Sequence, residues 1–208
     1  MPTPPKIPRW KRSIDILVSL GALPFLAVVM LVVAIITRIK SPGPVLFRQV
    51  RIGYRGERFT CYKIRTMVVS ADPAPHRDHL TQIISSNLPL TKMDVGGDKR
   101  LIPGGWLLRA SGLDELAQIL NVLKGEMTLV GPRPCVPYEY ALFPASARPR
   151  FSVLPGLTGL WQVSGKNRTT FSEMITFDVQ YASKVTFWGD LRIMWRTLPT
   201  LIGLVMDA

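Results

Sequence analysis

The chain has 208 residues, enough for one substantial domain with its own core. Its 26 Lys and Arg against 14 Asp and Glu leave a formal net charge of +12, which implies an anionic partner: nucleic acid, anionic lipid or a phosphorylated substrate. The cations are scattered among Gly- and Pro-containing motifs without zinc-finger spacing or a basic region joined to heptads, and a mean hydropathy of +0.20 is high for a soluble nucleic-acid binder, so the reading is no nucleic acid. Cys61 and Cys135 are too few for a disulfide framework and read as reduced thiols. His76 and His79 stand in a polar, proline-punctuated stretch with no further histidine to complete a metal site.

Taken in order, the first element is apolar. Ile16 to Thr37 carries no charge, and a straight helix of that length would reach about 33 Å, enough to cross the hydrocarbon of a bilayer. Pro24 falls near its middle, where it removes a backbone donor and is expected to break or kink the helix. Lys6, Arg9, Lys11 and Arg12 precede the run; Arg38, Lys40, Arg48 and Arg51 follow it. A crossing helix biases its cations to one side, so basic flanks at both ends favour a re-entrant helix bent at Pro24, with straight crossing as the alternative. Asp15 is placed to pair with Lys11 or Arg12 one turn back. The chain therefore divides into a membrane segment, 1–40, and a catalytic or binding body, 41–208.

Ser41-Pro-Gly-Pro44 is a rigid break. Two β-rich runs punctuated by Gly53-Tyr-Arg-Gly56 predict a β-hairpin over 45–67. Residues 70–100 read as loop with one helix near His79–Ser86. Leu113, Leu116, Ile119, Leu120 and Leu123 predict a helix over about 112–124, stopped by Gly125. Pro155-Gly-Leu-Thr-Gly159 reads as a turn-rich loop, and Phe171–Tyr181 as a helix. From Leu191 to Met206 an apolar face with Trp195 alternates with Arg192 and Arg196. This suits an interfacial helix, or equally a core-facing helix interrupted by Pro199. The fold class is α+β, mostly helical with a small β-hairpin.

Asp114 and Glu115 carry the chemistry. The plain reading is capping, with Ser111 as N-cap and Asp114 reaching back to its amide. The surroundings add a second reading. A helix N-terminus attracts phosphate, Mg²⁺ prefers carboxylate and phosphate oxygens, and Arg109 and Arg133 could neutralise a diphosphate. An ionised aspartate can attack phosphorus.

The motifs as a set resemble the bacterial sugar transferases, the monotopic phosphoglycosyl transferases. They are Lys11-Arg-x-x-Asp15, Ser41-Pro-Gly-Pro-x-x-Phe-x-Gln49, Tyr62-Lys-x-Arg-Thr-Met67, Leu113-Asp-Glu-Leu116, Asn121-Val-Leu-Lys-Gly-Glu-Met127, Leu129-Val-Gly-Pro-Arg-Pro134 and Pro155-Gly-Leu-Thr-Gly-Leu-Trp-Gln-Val-Ser-Gly165. They run in the family's order from about Lys11 onward, as in its minimal form. The resemblance implies a re-entrant helix entering and leaving on the cytoplasmic face of the bacterial inner membrane. It implies transfer of a sugar-1-phosphate from a UDP-sugar to polyprenyl (undecaprenyl) phosphate with Mg²⁺ and a covalent aspartyl-phosphosugar intermediate, the first membrane step of glycoconjugate or exopolysaccharide assembly. Asp114 matches the nucleophile and Glu115 its partner carboxylate, both also the metal-binding pair. Arg109, Arg133, Lys63, Arg65, Lys166, Asn167, Thr158 and Asp178 match donor- or phosphate-site positions. Gly112 and Lys166 depart from the family, which usually has Ser or Thr and Arg there; lysine keeps the charge but loses the bidentate fork. The partners implied are the UDP-sugar, the polyprenyl phosphate and the bilayer, with a homodimer admissible. The competing class is a basic, membrane-anchored binding protein that uses the dyad only for capping.

Overall fold

The computed structural model describes residues 7–69, 71, 72, 74–91 and 100–206, excepting the side chains of His76, Asn167 and residues 201–206. The fold is α+β and mostly helical, as expected from the sequence. It opens with one long helix, α1 (Arg9–Lys40). The inward residues of α1 are Lys11, Asp15, Ser19, Leu26, Val33 and Thr37, spaced by whole turns, so a single stripe faces the rest of the chain. Leu26 and Val33 share a core cluster with Ile64, Ala117 and Ile119.

The polar start of this stripe corrects the expected local pairing. Lys11 pairs with Asp190, and its ammonium also donates to the Val130 carbonyl (2.8 Å) and the Tyr181 hydroxyl (3.1 Å). Asp15 accepts from the Leu129 amide at 2.9 Å and from the Thr128 hydroxyl. Arg12 donates to the carbonyls of Val122 and Leu123 at 2.6 and 2.7 Å, at the negative end of a short helix. The motif is thus a set of tertiary anchors rather than a solvated helix start. The helix expected to break or kink at Pro24 does not end there: α1 runs through Pro24 as one element, and the backbone donor that proline removes leaves it able to bend at that turn.

The hairpin is present as β1 (Leu46–Ile52) and β2 (Arg58–Ile64), antiparallel from Leu46↔Ile64 to Ile52↔Arg58. Its turn uses Arg55 and Gly56 at φ 55° and 77°. The helix α2 (Ala74–Ser85) begins earlier than expected, because the Asp72 carboxylate accepts from the Ala74 amide and Pro75 is tolerated in a first turn. Next come α3 (Gly105–Ala110), a 3₁₀ turn over Leu113–Gln118 and α4 (Ile119–Lys124), which Gly125 ends at φ 81°. Asn121 ties α4 to β2: its amide nitrogen donates to Thr60 O and its oxygen accepts from Tyr62 N.

A second sheet was not anticipated. β3 (Thr128–Val130) runs parallel to β4 (Gly156–Thr158), so the expected loop at Pro155–Gly159 contains a strand. The approach is too close for side chains: a Cβ on Gly156 would lie 2.1 Å from Gly131 N, and one on Gly131 would lie 2.4 Å from Leu154 O. The chain closes with α5 (Pro137–Tyr140), α6 (Leu160–Val163), α7 (Phe171–Ser183) and α8 (Phe187–Met206). α7 starts on a Thr170–Glu173 capping box, and α8 continues through Pro199.

α8 buries Asp190 and Ile193 but leaves Trp188 and Trp195 about three-quarters exposed (75% and 76%). The outward face of α1 exposes Leu17, Leu20, Phe25, Val28, Leu31 and Ile35. Trp10 and Phe187 meet edge-on at 5.5 Å, so the two helices start side by side. An exposed apolar surface of this kind marks a membrane or partner contact, and α1 is long and apolar enough to cross a membrane. The Lys11–Asp190 pair yields a stability prediction. Asp190→Ala strands a buried ammonium and should cost about 3–5 kcal/mol, read as a lower thermal midpoint in detergent. Lys11→Met with Asp190→Leu should recover most of that loss. A double variant as unstable as Asp190→Ala would contradict the ion-pair account.

Candidate active site

The dyad sits on the 3₁₀ turn, not on the expected α-helix. The Ser111 hydroxyl turns back to Leu107 O (2.7 Å) at the end of α3, and the expected Ser111–Asp114 capping box does not form. Gly112, at φ 72°, reverses the chain, and the Glu115 amide bonds to Gly112 O at 3.0 Å. A side-chain-bearing residue would be strained at that φ, so the turn suits glycine.

This turn packs on β2. Glu115 Oε1 accepts from Lys63 Nζ at 2.7 Å, its side chain remaining 37% exposed. Burial opposes the Glu115 charge, but Lys63, Arg133 and Lys166 outweigh that cost and hold its carboxyl far below the ordinary range. A cleft opens beside the pair, with Arg51, Lys63, Glu115 and Arg133 in its wall. Asp114, half-buried, immediately precedes Glu115. Three cations around one carboxylate make a site suited to an anion with several charged oxygens.

Arg133 owes its position to its backbone. Arg150 Nη2 donates to Arg133 O at 2.9 Å, and Arg51 Nη1 donates to Pro134 O at 2.9 Å. Two buried guanidiniums thus hold successive carbonyls of the Gly131–Pro134 loop. Each is held in turn: Arg51 by Gln49 Oε1 at 2.7 and 3.0 Å, Arg150 by Asp178 Oδ2 at 2.7 and 3.0 Å. The Arg133 side chain stays partly exposed and lies 3.8 Å from Glu139.

The structure therefore brings together Glu115, Lys63, Arg133 and, electrostatically, Lys166, with Asp114 adjacent. Arg109 stands on the last turn of α3, one short loop before the dyad. Three expected positions lie elsewhere. Arg65 is buried against Ser41 and Pro44, bonding both their carbonyls, so it locks the Ser-Pro-Gly-Pro break. Asp178 is buried in its pair with Arg150, and burial lifts its carboxyl to about 6. Thr158 meets the Thr197 hydroxyl of α8 at 2.8 Å. The Asn167 side chain lies outside the described residues. Arg51 and Glu139 are parts of the site that the sequence reading missed. Arg51 was within reach: Gln49 and Arg51 alternate on β1 opposite Cys61 and Phe59, on the same sheet face as Lys63.

Two predictions follow from this wiring. Lys63→Met should let the Glu115 carboxyl titrate at higher pH, read from its ¹³C shift; an unchanged titration would show that Lys63 is not the cause. Glu115 is depressed in the fold, so its contribution to stability is present above its unfolded value near 4.5 and fades as pH falls below it; solvent screening keeps this contribution modest, because the Glu115 side chain is partly exposed. Asp178→Ala should leave Arg150 buried without its partner and cost about 3–5 kcal/mol, a loss that thermal melts would register.

Comparison with known proteins identifies the family. The family model for bacterial sugar transferases matches residues 7–203. An exopolysaccharide production protein, ExoY, of Sinorhizobium fredii is 35% identical over 196 residues, covering 92% of this chain and 84% of that protein. A UDP-glucose:undecaprenyl-phosphate glucose-1-phosphate transferase of Caulobacter vibrioides is 36% identical, covering 92% of this chain and 69% of that protein. An undecaprenyl-phosphate galactose phosphotransferase of Salmonella typhimurium is 32% identical, covering 92% of this chain but 40% of that protein. From the helix anchors of α1 to the start of α8, the elements that build this cleft fall inside the matched span, and the chain belongs to the bacterial sugar transferase family of enzymes.

Proposed function

We propose that the protein transfers a sugar-1-phosphate from a UDP-sugar to polyprenyl phosphate at a membrane surface, as the first membrane step in building an exopolysaccharide or related glycoconjugate. The observation that carries the reading is the ionised Glu115, held by Lys63 in a cationic cleft beside Asp114. An Asp114 carboxylate oxygen attacks the β-phosphorus of the donor. The bond from that phosphorus to the bridging oxygen breaks, and UMP leaves with the electron pair. A phosphate oxygen of the polyprenyl acceptor then attacks the same phosphorus. The aspartyl–phosphorus bond breaks, Asp114 regains its carboxylate, and the sugar leaves on a lipid diphosphate. Lys63, Arg133 and Lys166 offset the charge on the phosphate oxygens, with Arg109 approaching from the end of α3.

The donor set fits Mg²⁺. Among the described residues no three His, Cys, Asp or Glu cluster, and a two-carboxylate site suits a hard cation whose shell is completed by water and phosphate. Asp114 and Glu115 would hold it. Bound there, it neutralises phosphate charge.

The membrane reading rests on α1. Its first turn is anchored by Lys11 and Asp15, and Val33 and Thr37 are buried near its other end, so both ends are held to one body. That geometry supports a re-entrant helix with its ends on the cytoplasmic face of the inner membrane, presenting its outward apolar face to lipid. Thr3→Cys and Val45→Cys should label from the same side of sealed vesicles; labelling from opposite sides would refute the topology.

The chemical test uses UDP-glucose and UDP-galactose, the hexoses named for relatives, with Mg²⁺ and no acceptor. A hexose-phosphate adduct should appear on Asp114 by mass spectrometry and disappear on addition of undecaprenyl phosphate. Asp114→Asn should form no adduct and show no turnover. Glu115→Gln should be severely impaired, and Arg133→Ala should lower donor use by about tenfold or more. Steady turnover by Asp114→Asn would refute the covalent route and return the dyad to a structural role.

A further inference from the structure

We infer that Thr169 is a positioning residue for Lys166, clamping the loop that carries this cation. The inference rests on the transferase reading above. Lys166 opens a 3₁₀ turn (Lys166–Arg168) with φ 43°, a left-handed conformation disfavoured for a residue with a side chain. In the transferase reading its charge serves the phosphate oxygens of the donor. Something must hold the turn in that conformation.

Thr169 is where the restraints converge. Its hydroxyl accepts from Trp161 Nε1 at 2.6 Å and donates to Lys166 O at 2.8 Å. Its amide donates to the same Lys166 carbonyl at 3.3 Å, and its own carbonyl accepts from the Leu90 amide at 2.9 Å. The next residue, Thr170, caps α7. Its methyl group closes the remaining side: a Cβ on Gly165 would lie 2.9 Å from Thr169 Cγ2. Trp161 and Thr169 are both buried, and Trp161 packs with Phe171, Met174 and Ile175, with Leu90 against the same cluster. The loop end of the cation is therefore rooted in the hydrophobic core, while its charged end is half-exposed. Serine would keep both hydroxyl bonds. Valine would keep the shape, lose both bonds and leave the Trp161 donor buried without an acceptor.

A double-mutant cycle on the full-length protein decides the matter. The measured quantity is kcat/KM for UMP release from UDP-glucose and UDP-galactose with undecaprenyl phosphate. Lys166→Ala and Thr169→Val should each lower it by roughly tenfold, and the double variant should be no worse than Lys166→Ala, since Thr169 acts through Lys166. Thr169→Ser should stay within about twofold of the parent, because it keeps both hydroxyl bonds. Losses that multiply, a harmless Lys166→Ala, or a harmless Thr169→Val beside an impaired Lys166→Ala would each overturn the clamp. If Thr169→Val does not fold, Trp161→Phe takes its place in the cycle, removing only the donor to the hydroxyl, with the same expectation of non-additivity. Absence of UMP release from the parent protein overturns the transferase reading and the clamp with it; multiplying losses on an active parent overturn the clamp alone.

Discussion

The grip of α1 on β3 is the constraint on which the rest of the structure depends. Lys11 and Asp15 lie one helical turn apart, a rise of about 6 Å. Thr128 to Val130 covers two strand steps, about 6.6 Å. The match lets Asp15 take the start of the strand, through the Thr128 hydroxyl and the Leu129 amide, while Lys11 takes the Val130 carbonyl at its end. Lys11 also reaches Asp190 and Tyr181, so one ammonium joins α1, β3, α7 and α8. β3 leads directly into Gly131-Pro-Arg133, and its register with β4 fixes where that loop emerges. The apolar helix thus helps place Arg133.

Buried charge recurs wherever the site is braced. Arg51, Arg150 and Asp178 are all buried, and each takes part in several hydrogen bonds, although Arg150 Nη1 and Asp178 Oδ1 find no partner. Burial of an ion is costly unless geometry and hydrogen bonding are good, so such braces persist where position matters more than stability. Here they hold two consecutive carbonyls of the Arg133 loop. The buried ions hold backbone, Arg51 also lining the cleft, and the partly exposed Lys63, Glu115 and Arg133 face it. Lys63 and Glu115 neutralise one another, which leaves the remaining cations as a net attraction for phosphate.

The same body that forms the cleft presents apolar helices outward. The first turns of α1 and α8 are joined by the Lys11–Asp190 pair and the Trp10–Phe187 contact, while their exposed faces carry leucine, phenylalanine and tryptophan. The cleft and the apolar surface thus stand on one framework, and this pairing supplies the link between them. The Asn121 bridge to β2 completes it by seating the 3₁₀ turn against Lys63.

The sequence by itself determined the periodic elements and picked out the charged motifs. Hydrophobic spacing marked α1, α4, α7 and α8, Gly-Tyr-Arg-Gly marked the hairpin, and the Asp114–Glu115 motif with Arg133 marked the cleft, because these signals are local and follow directly from helix and strand periods. Tertiary structure decided everything that depends on distant partners. Lys11, Arg12 and Asp15 look like a self-pairing helix start until β3, α4 and α8 offer them better-buried partners. Arg65 and Asp178 have the charge of site residues, but Ser41 and Pro44 claim one and Arg150 the other. The Pro155–Gly159 segment has the composition of a loop, yet β3 makes a strand of it, because a parallel pairing needs a neighbour that no local pattern announces. Charge can be read from sequence; which charges face the cleft and which are spent holding its walls follows only from the packing.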